Sequence, residues 1–228
     1  RFWHEVNYKN SCFNCKNLKQ AFESKKRYFP LDKGGAYRKW YGNNENVVNW
    51  DNDGFEIQNF TDEKGKLRSR PQNRDFYFRE SVSWSFVSSS YFGVRFSDTK
   101  AIFDVGGSSA FPDGKDKYFL TGLLCSKLSQ VFMKAMNPTL NFQVGNVASI
   151  PIIDSQRKDF DDSLIKKLIH VHKADWDSYE TSWNFTSLPL LYPDYRQPTL
   201  KGRYQYLCSH LRQMTLEMQR LEEENNQF

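Results

Sequence analysis

Phe76, Phe78, Val82, Trp84 and Phe86 alternate with Tyr77, Arg79, Ser81, Ser83 and Ser85, and Glu80 is the one interruption. Strict alternation of this kind predicts a half-buried strand with a polar second face. Phe92, Val94 and Phe96 mark a second strand and Ala101 to Val105 a third, with Gly106-Gly107-Ser108-Ser109 closing a hairpin-like region. From Lys117 to Met136 the period becomes helical: Tyr118, Thr121, Cys125, Leu128, Phe132 and Met136 recur at steps of three and four until Asn137-Pro138 stops the helix. Ser149 to Ile153 predicts a short apolar strand.

Two long helices follow. The first starts at a cap near Asp159 or Asp161 and aligns Ile165, Ile169, His172, Trp176, Tyr179 and Trp183. The second aligns Leu200, Tyr204, Leu207, Leu211, Met214, Met218 and Leu221 at the same heptad-like spacing. Pro189, Pro193 and Pro198 lie between them, so the chain is expected to turn back into an antiparallel pair. The first 31 residues show no clean period, and residues 33–44 and 61–75 read as loops. The pattern as a whole predicts an α+β fold: a β-rich domain with one packed helix over residues 1–153, then a helical spacer or docking arm over 154–228.

Composition sharpens this picture. Apolar residues make up 39% of the 228 and aromatics 16%, which excludes a disordered chain. No apolar run approaches the roughly 20 residues needed to cross a bilayer, so no membrane partner is expected. Arg1-Phe2-Trp3 carries neither an initiator Met nor a signal segment and reads as the edge of a longer protein. Net charge is +5, unevenly spread: residues 1–153 hold 22 Lys/Arg against 15 Asp/Glu, and the remainder 10 against 12. A basic first part suits an anionic partner such as nucleic acid, although a moderately basic domain without one would show the same balance. Cys12 and Cys15 form a lone CxxC with no second pair to complete a zinc site, so reduced, cytoplasmic cysteines are expected.

Catalytic chemistry is hard to find. His170 and His172 lie about 200° apart on a helix and cannot share a metal, and His172 reads as a packed core histidine. There is no GxSxG, HExxH or P-loop. Phe103-Asp104-Val105-Gly106-Gly107 lacks the βαβ unit of a cofactor loop, and Asn137-Pro138-Thr139-Leu140 lacks the second proline and aromatic of the amino-methylating Asn-Pro-Pro-aromatic motif. No catalytic, metal or cofactor residue is therefore assigned. What remains is a binding surface: Lys64, Lys66, Arg68, Arg70 and Arg74, with Arg38, Lys39, Asn43 and Asn44 in a Gly/Asn loop, and Arg79, Ser81 and Ser83 on the polar face of the first strand. Arginine offers bidentate donors to guanine or phosphate, and Ser and Asn supply short hydrogen bonds. The 61–75 run is equally compatible with an ordinary solvated loop.

Several long stretches resemble the C-terminal half of the adenine-specific DNA methyltransferases of BREX phage-defence systems. They are Arg1-Phe2-Trp3-His4-Glu5-Val6; Phe29-Pro30-Leu31-Asp32-Lys33-Gly34-Gly35 with Tyr37-Arg38-Lys39-Trp40-Tyr41-Gly42-Asn43; Asn137 to Gly145 with Ile150-Pro151-Ile152; and Trp176 to Trp183 with Leu221 to Asn226. The order of parts is also similar to target-recognition domains of type I specificity subunits. The resemblance implies a segment that reads double-stranded DNA, with catalysis and S-adenosylmethionine in an N-terminal methyltransferase domain that is its partner. It implies that the intact protein methylates adenine. Other phage-defence proteins are further expected partners. The competing expectation is an interaction scaffold that recruits such proteins through the heptad helices.

Overall fold

Alternating aromatic and β-branched residues build two small sheets, seen in a computed structural model that describes residues 1–153, 157 and 160–227. The strands in chain order are β1 (Tyr28–Asp32), β2 (Val47–Asn49), β3 (Ser81–Ser85), β4 (Val94–Ser97), β5 (Ile102–Phe103) and β6 (Gly107–Ala110). One sheet has the order β2-β1-β5, with β1 antiparallel to β2 and parallel to β5. The other is antiparallel, β4-β3-β6, with Val82 opposite both Phe96 and Ala110. Seven helices are described: α1 (Leu18–Glu23), α2 (Asp51–Gln58), α3 (Asp116–Cys125), α4 (Lys127–Met136), α5 (Val144–Ala148), α6 (Ser163–Asp177) and α7 (Leu200–Asn225). The α+β class expected from the pattern is the class observed.

The central strand is buried on both faces. Val82 and Trp84 face a large cluster with Trp40, Val94, Leu124, Ile165, Leu168, Trp176 and Leu221, so residues of α6 and α7 share one core with the β4-β3-β6 sheet. A smaller cluster joins Cys15, Ala21, Phe29, Trp50, Tyr77, Phe78 and Ile102 around β1. The serine face of β3 turns toward β1, where Ser85 Oγ donates to the Gly35 carbonyl and accepts from the Gly35 N–H. Here the backbones nearly touch: a Cβ on Gly107 would stand 2.2 Å from the Asp32 carbonyl oxygen, and one on Gly34, at φ +80°, would stand 2.4 Å from that of Gly106. Small residues are the only ones that let the two sheets meet.

Local structure departs from the pattern at several points. Phe76 and Phe78 are not on β3: residues Arg74–Phe76 form a 3₁₀ turn, and Phe78 adopts φ +63° before the strand begins. The reversal sends Phe78 into the smaller core and takes Arg79 off the polar strand face. The glycine-serine stretch expected to end the hairpin is instead β6, which pairs with β3 because glycine clears the Asp32 carbonyl. The single helix expected over 117–136 breaks at Ser126, whose ψ of 158° ends α3 while its hydroxyl caps α4 by accepting from the Ser129 N–H. Ile150 is buried, but residues 151–153 join no sheet, and helix α5 precedes them. Asp161 accepts from the Ser163 N–H at the start of α6, and Asp159 lies outside the described residues.

The heptad seam is intermittent. On α7, about 39 Å long, Leu207 and Leu221 are buried, whereas Leu200, Tyr204 and Leu211 face solvent. Helix α6 stops at Asp177, and Trp183 packs instead on Phe13. Cys12 and Cys15 are joined as a disulfide, which corrects the expectation of reduced thiols at this pair. Cys125 is a buried free thiol and Cys208 an exposed one. Among the described residues, no helix is long and apolar enough to cross a membrane.

Candidate nucleic-acid interface

The residues singled out for binding separate into two groups. The Gly/Asn loop is tied to the helices. Arg38 pairs with Asp175 at 3.3 Å and lies 4.6 Å above the Trp176 ring, while Lys39 pairs with Glu222. Trp40 donates its indole N–H to the same Glu222 carboxylate at 2.9 Å, so this loop clamps the C-terminal end of α7. Asn43, at φ +61°, donates to the Ala36 carbonyl at 2.8 Å, and Asn44 has a buried amide nitrogen with no partner among the described residues. His172 completes this contact: it stacks on Trp40, and burial depresses its pKa to about 4. It is neutral and packed at neutral pH, as its seam position suggests.

The second group surrounds residues 60–79. Asp62 stitches a tight turn: its Oδ1 accepts from the Lys64 and Lys66 N–H groups at 3.0 and 2.8 Å, and its Oδ2 meets Arg68 Nε at 3.0 Å. The Phe60 carbonyl accepts from the Arg68 N–H, and Thr61 bridges to Leu67. This geometry turns Lys64, Lys66 and Arg70 outward without an ion-pair partner among the described residues, beside the exposed Phe60 and Leu67. Arg74 is committed elsewhere, to Asp53 and Gln58 and over the Trp50 ring. Arg79 lies over Phe76 and reaches Asp113 at 3.4 Å. Ser81 and Ser83 are 6% and 1% exposed, inside the sheet interface, so neither hydroxyl is presented at the surface.

Behind the serine face lies an ion pair that charge counting missed. Arg95 and Asp32 are buried 4.0 Å apart, Ser83 hydrogen-bonds the Asp32 carboxylate, and Arg95 reaches Ser85. Burial raises the Asp32 pKa and lowers that of Arg95, each opposed by the other's charge. Phe29 to Gly35 thus forms the joint between the sheets.

A half-open cavity of about 550 Å³ opens beside the basic turn. Trp50, Tyr77, Ile102 and Phe103 line its interior, and Arg70, Gln72 and Asn73 line it from the chain that continues out of the turn. Gln72 and Asn73 escaped sequence reading, because only the fold brings a connecting segment over an aromatic floor. Among the described residues, no three His, Cys, Asp or Glu side chains gather in a way that could hold a metal ion.

None of the known protein-family profiles matches the chain. Curated relatives do. It is 39% identical over 193 residues to adenine-specific methyltransferase PglX of Lacticaseibacillus casei (strain Zhang), covering 84% of this chain and 16% of the relative. It is 36% identical over 168 residues to adenine-specific methyltransferase BrxX of Escherichia coli O9:H4 (strain HS), covering 72% of this chain and 13% of the relative. The chain therefore spans less than a fifth of the length of these relatives. Over most of its own length, the chain is thus similar to a segment of two adenine-specific methyltransferases.

Proposed function

We propose that this chain is the sequence-reading segment of an adenine-specific, S-adenosylmethionine-dependent DNA methyltransferase acting in cytoplasmic phage defence, and that it grips double-stranded DNA with the basic turn. The observation that carries the reading is the turn itself: Lys64, Lys66 and Arg70 stand exposed and unpaired on a backbone held by Asp62. Rigidly presented cations of this kind position a protein on the phosphate backbone. Arg38, Lys39 and Arg74 serve the fold rather than the ligand, because each already has an acidic partner. Methyl transfer belongs to a methyltransferase domain outside these residues, which binds S-adenosylmethionine and takes the adenine out of the stack. The segment described here holds the duplex in register meanwhile.

Duplex binding by the intact protein, measured against salt, tests this reading. Changing Lys64 and Lys66 together to Ala lowers the slope of log K against log salt by about 2, at about 0.9 per lost phosphate contact. An unchanged slope contradicts it.

A second reading rests on α7, where Leu200, Tyr204, Leu211 and Leu216 expose apolar surface beyond the docked end. In that reading the helix recruits another protein of the defence system. Leu211→Glu and Leu216→Glu then abolish a co-purifying complex while leaving DNA binding intact, and unaltered complexes count against it.

A further inference from the structure

We propose that the cavity beside the basic turn is a receptor for a single unstacked nucleobase, distinct from the adenine that is methylated. As a DNA-binding device it rests on the reading above. The shared chemistry is a planar heteroaromatic ring with a hydrogen-bonding edge, supplied either by a DNA strand or as a free nucleotide.

Trp50 is buried, and among the described residues its indole N–H has no acceptor. A buried N–H left without a partner costs about 1–3 kcal/mol. Tyr77 stands edge-on to Trp50 at 5.4 Å and to Phe103 at 5.3 Å, so three aromatic rings form one continuous wall. Arg70, Gln72 and Asn73 also line the space and contribute a guanidinium and two carboxamides with no side-chain hydrogen bond among the described residues. These are the groups that read base edges: Arg for guanine, and Asn or Gln for adenine.

The volume falls in the range of small-molecule sites, and the combination of an apolar wall with a few convergent polar groups is the usual makeup of such a site. The position fits as well. Arg70 belongs both to the cavity and to the unpaired basic run, so a strand held by Lys64 and Lys66 passes the mouth. Asn73, which lines the cavity, is in the left-handed region at φ +53° and caps the turn at Arg74. A base extruded from a duplex stacks on aromatic rings and exposes its edge to donors and acceptors, which is the chemistry assembled here.

The test uses the intact protein and duplexes carrying its methylation site, with a single mismatch placed at each position in turn. A mismatched base is cheaper to extrude, so its extrusion tightens binding. The expected result is two such positions: the target adenine, and a second base that tightens binding by about tenfold. Val105→Trp plugs the mouth from a residue that is 76% exposed, so the fold is unaffected and an unchanged thermal midpoint verifies it. In this variant the second position loses its advantage and the target adenine keeps its own. No second position, or one that survives Val105→Trp, overturns the DNA source.

Saturation-transfer NMR with the four free nucleoside monophosphates supplies the other arm. Contact with one of them that is lost in Val105→Trp, without a second mismatch position, assigns the cavity to a free nucleotide. Failure of both arms overturns the receptor altogether. If the wild-type protein binds no duplex at any salt, the DNA-reading function fails, and the nucleotide arm still decides the cavity.

Discussion

At the scale of single residues, the joint between the sheets concentrates the sensitivity of the molecule. Asp32 and Arg95 compensate each other in a place that excludes water, so removing one leaves the other charged and unpaired. Asp32→Ala is expected to cost about 3–5 kcal/mol in the denaturant midpoint, much more than a surface carboxylate would. Gly107→Ala inserts a methyl into the Asp32 carbonyl and should cost at least about 1–3 kcal/mol from overpacking, although its φ is ordinary. His172 adds a pH dependence whose sign is fixed by burial. Its folded pKa of about 4 lies below the unfolded value of 6.5, so between these limits only the unfolded chain takes the proton. Stability is complete above pH 6.5 and falls by up to about 3 kcal/mol as the pH drops to 4. Unfolding measured across that range in His172→Phe should lose this slope, since the ring stack on Trp40 survives and the titrating group does not.

At the scale of elements, capping decides where helices break. The Ser126 hydroxyl accepts from the Ser129 N–H and starts α4 immediately after α3 ends. Ser126→Ala should cost about 1 kcal/mol, read as a lower thermal midpoint. The same residue shows why the sequence was legible only in part. Apolar steps of three and four run continuously from Tyr118 to Met136, so periodicity reports the buried face and is silent about a break that keeps the face aligned. Alternation located β3 and β4 correctly but overran at Phe78, because a side chain can stay buried while its backbone leaves the strand. Strand β6 was invisible: Gly-Ser-Ser reads as a turn, and only the approach of the Asp32 carbonyl explains why the strand must begin with glycine.

At the scale of the whole molecule, charge balance located a basic part but could not sort its members. Whether an arginine faces a ligand or a carboxylate depends on contacts distant in sequence, such as Arg38 with Asp175 and Lys39 with Glu222. The 62–70 turn was legible because its partners are local, and Arg70 remains the residue that joins it to the cavity. The long motif Phe29 to Asn43 carried the family resemblance, and the structure explains its content: it supplies the sheet joint and the clamp on α7, both of which are architectural. In the proposed reading, recognition of DNA belongs to the surface this architecture displays. The most direct measurement is a map of methylated adenines in cells carrying the full-length protein, before and after residues 33–150 are exchanged for those of a relative with a different site. If this segment reads the sequence, the methylated site changes to that of the donor. An unchanged site, with activity retained, would contradict the account.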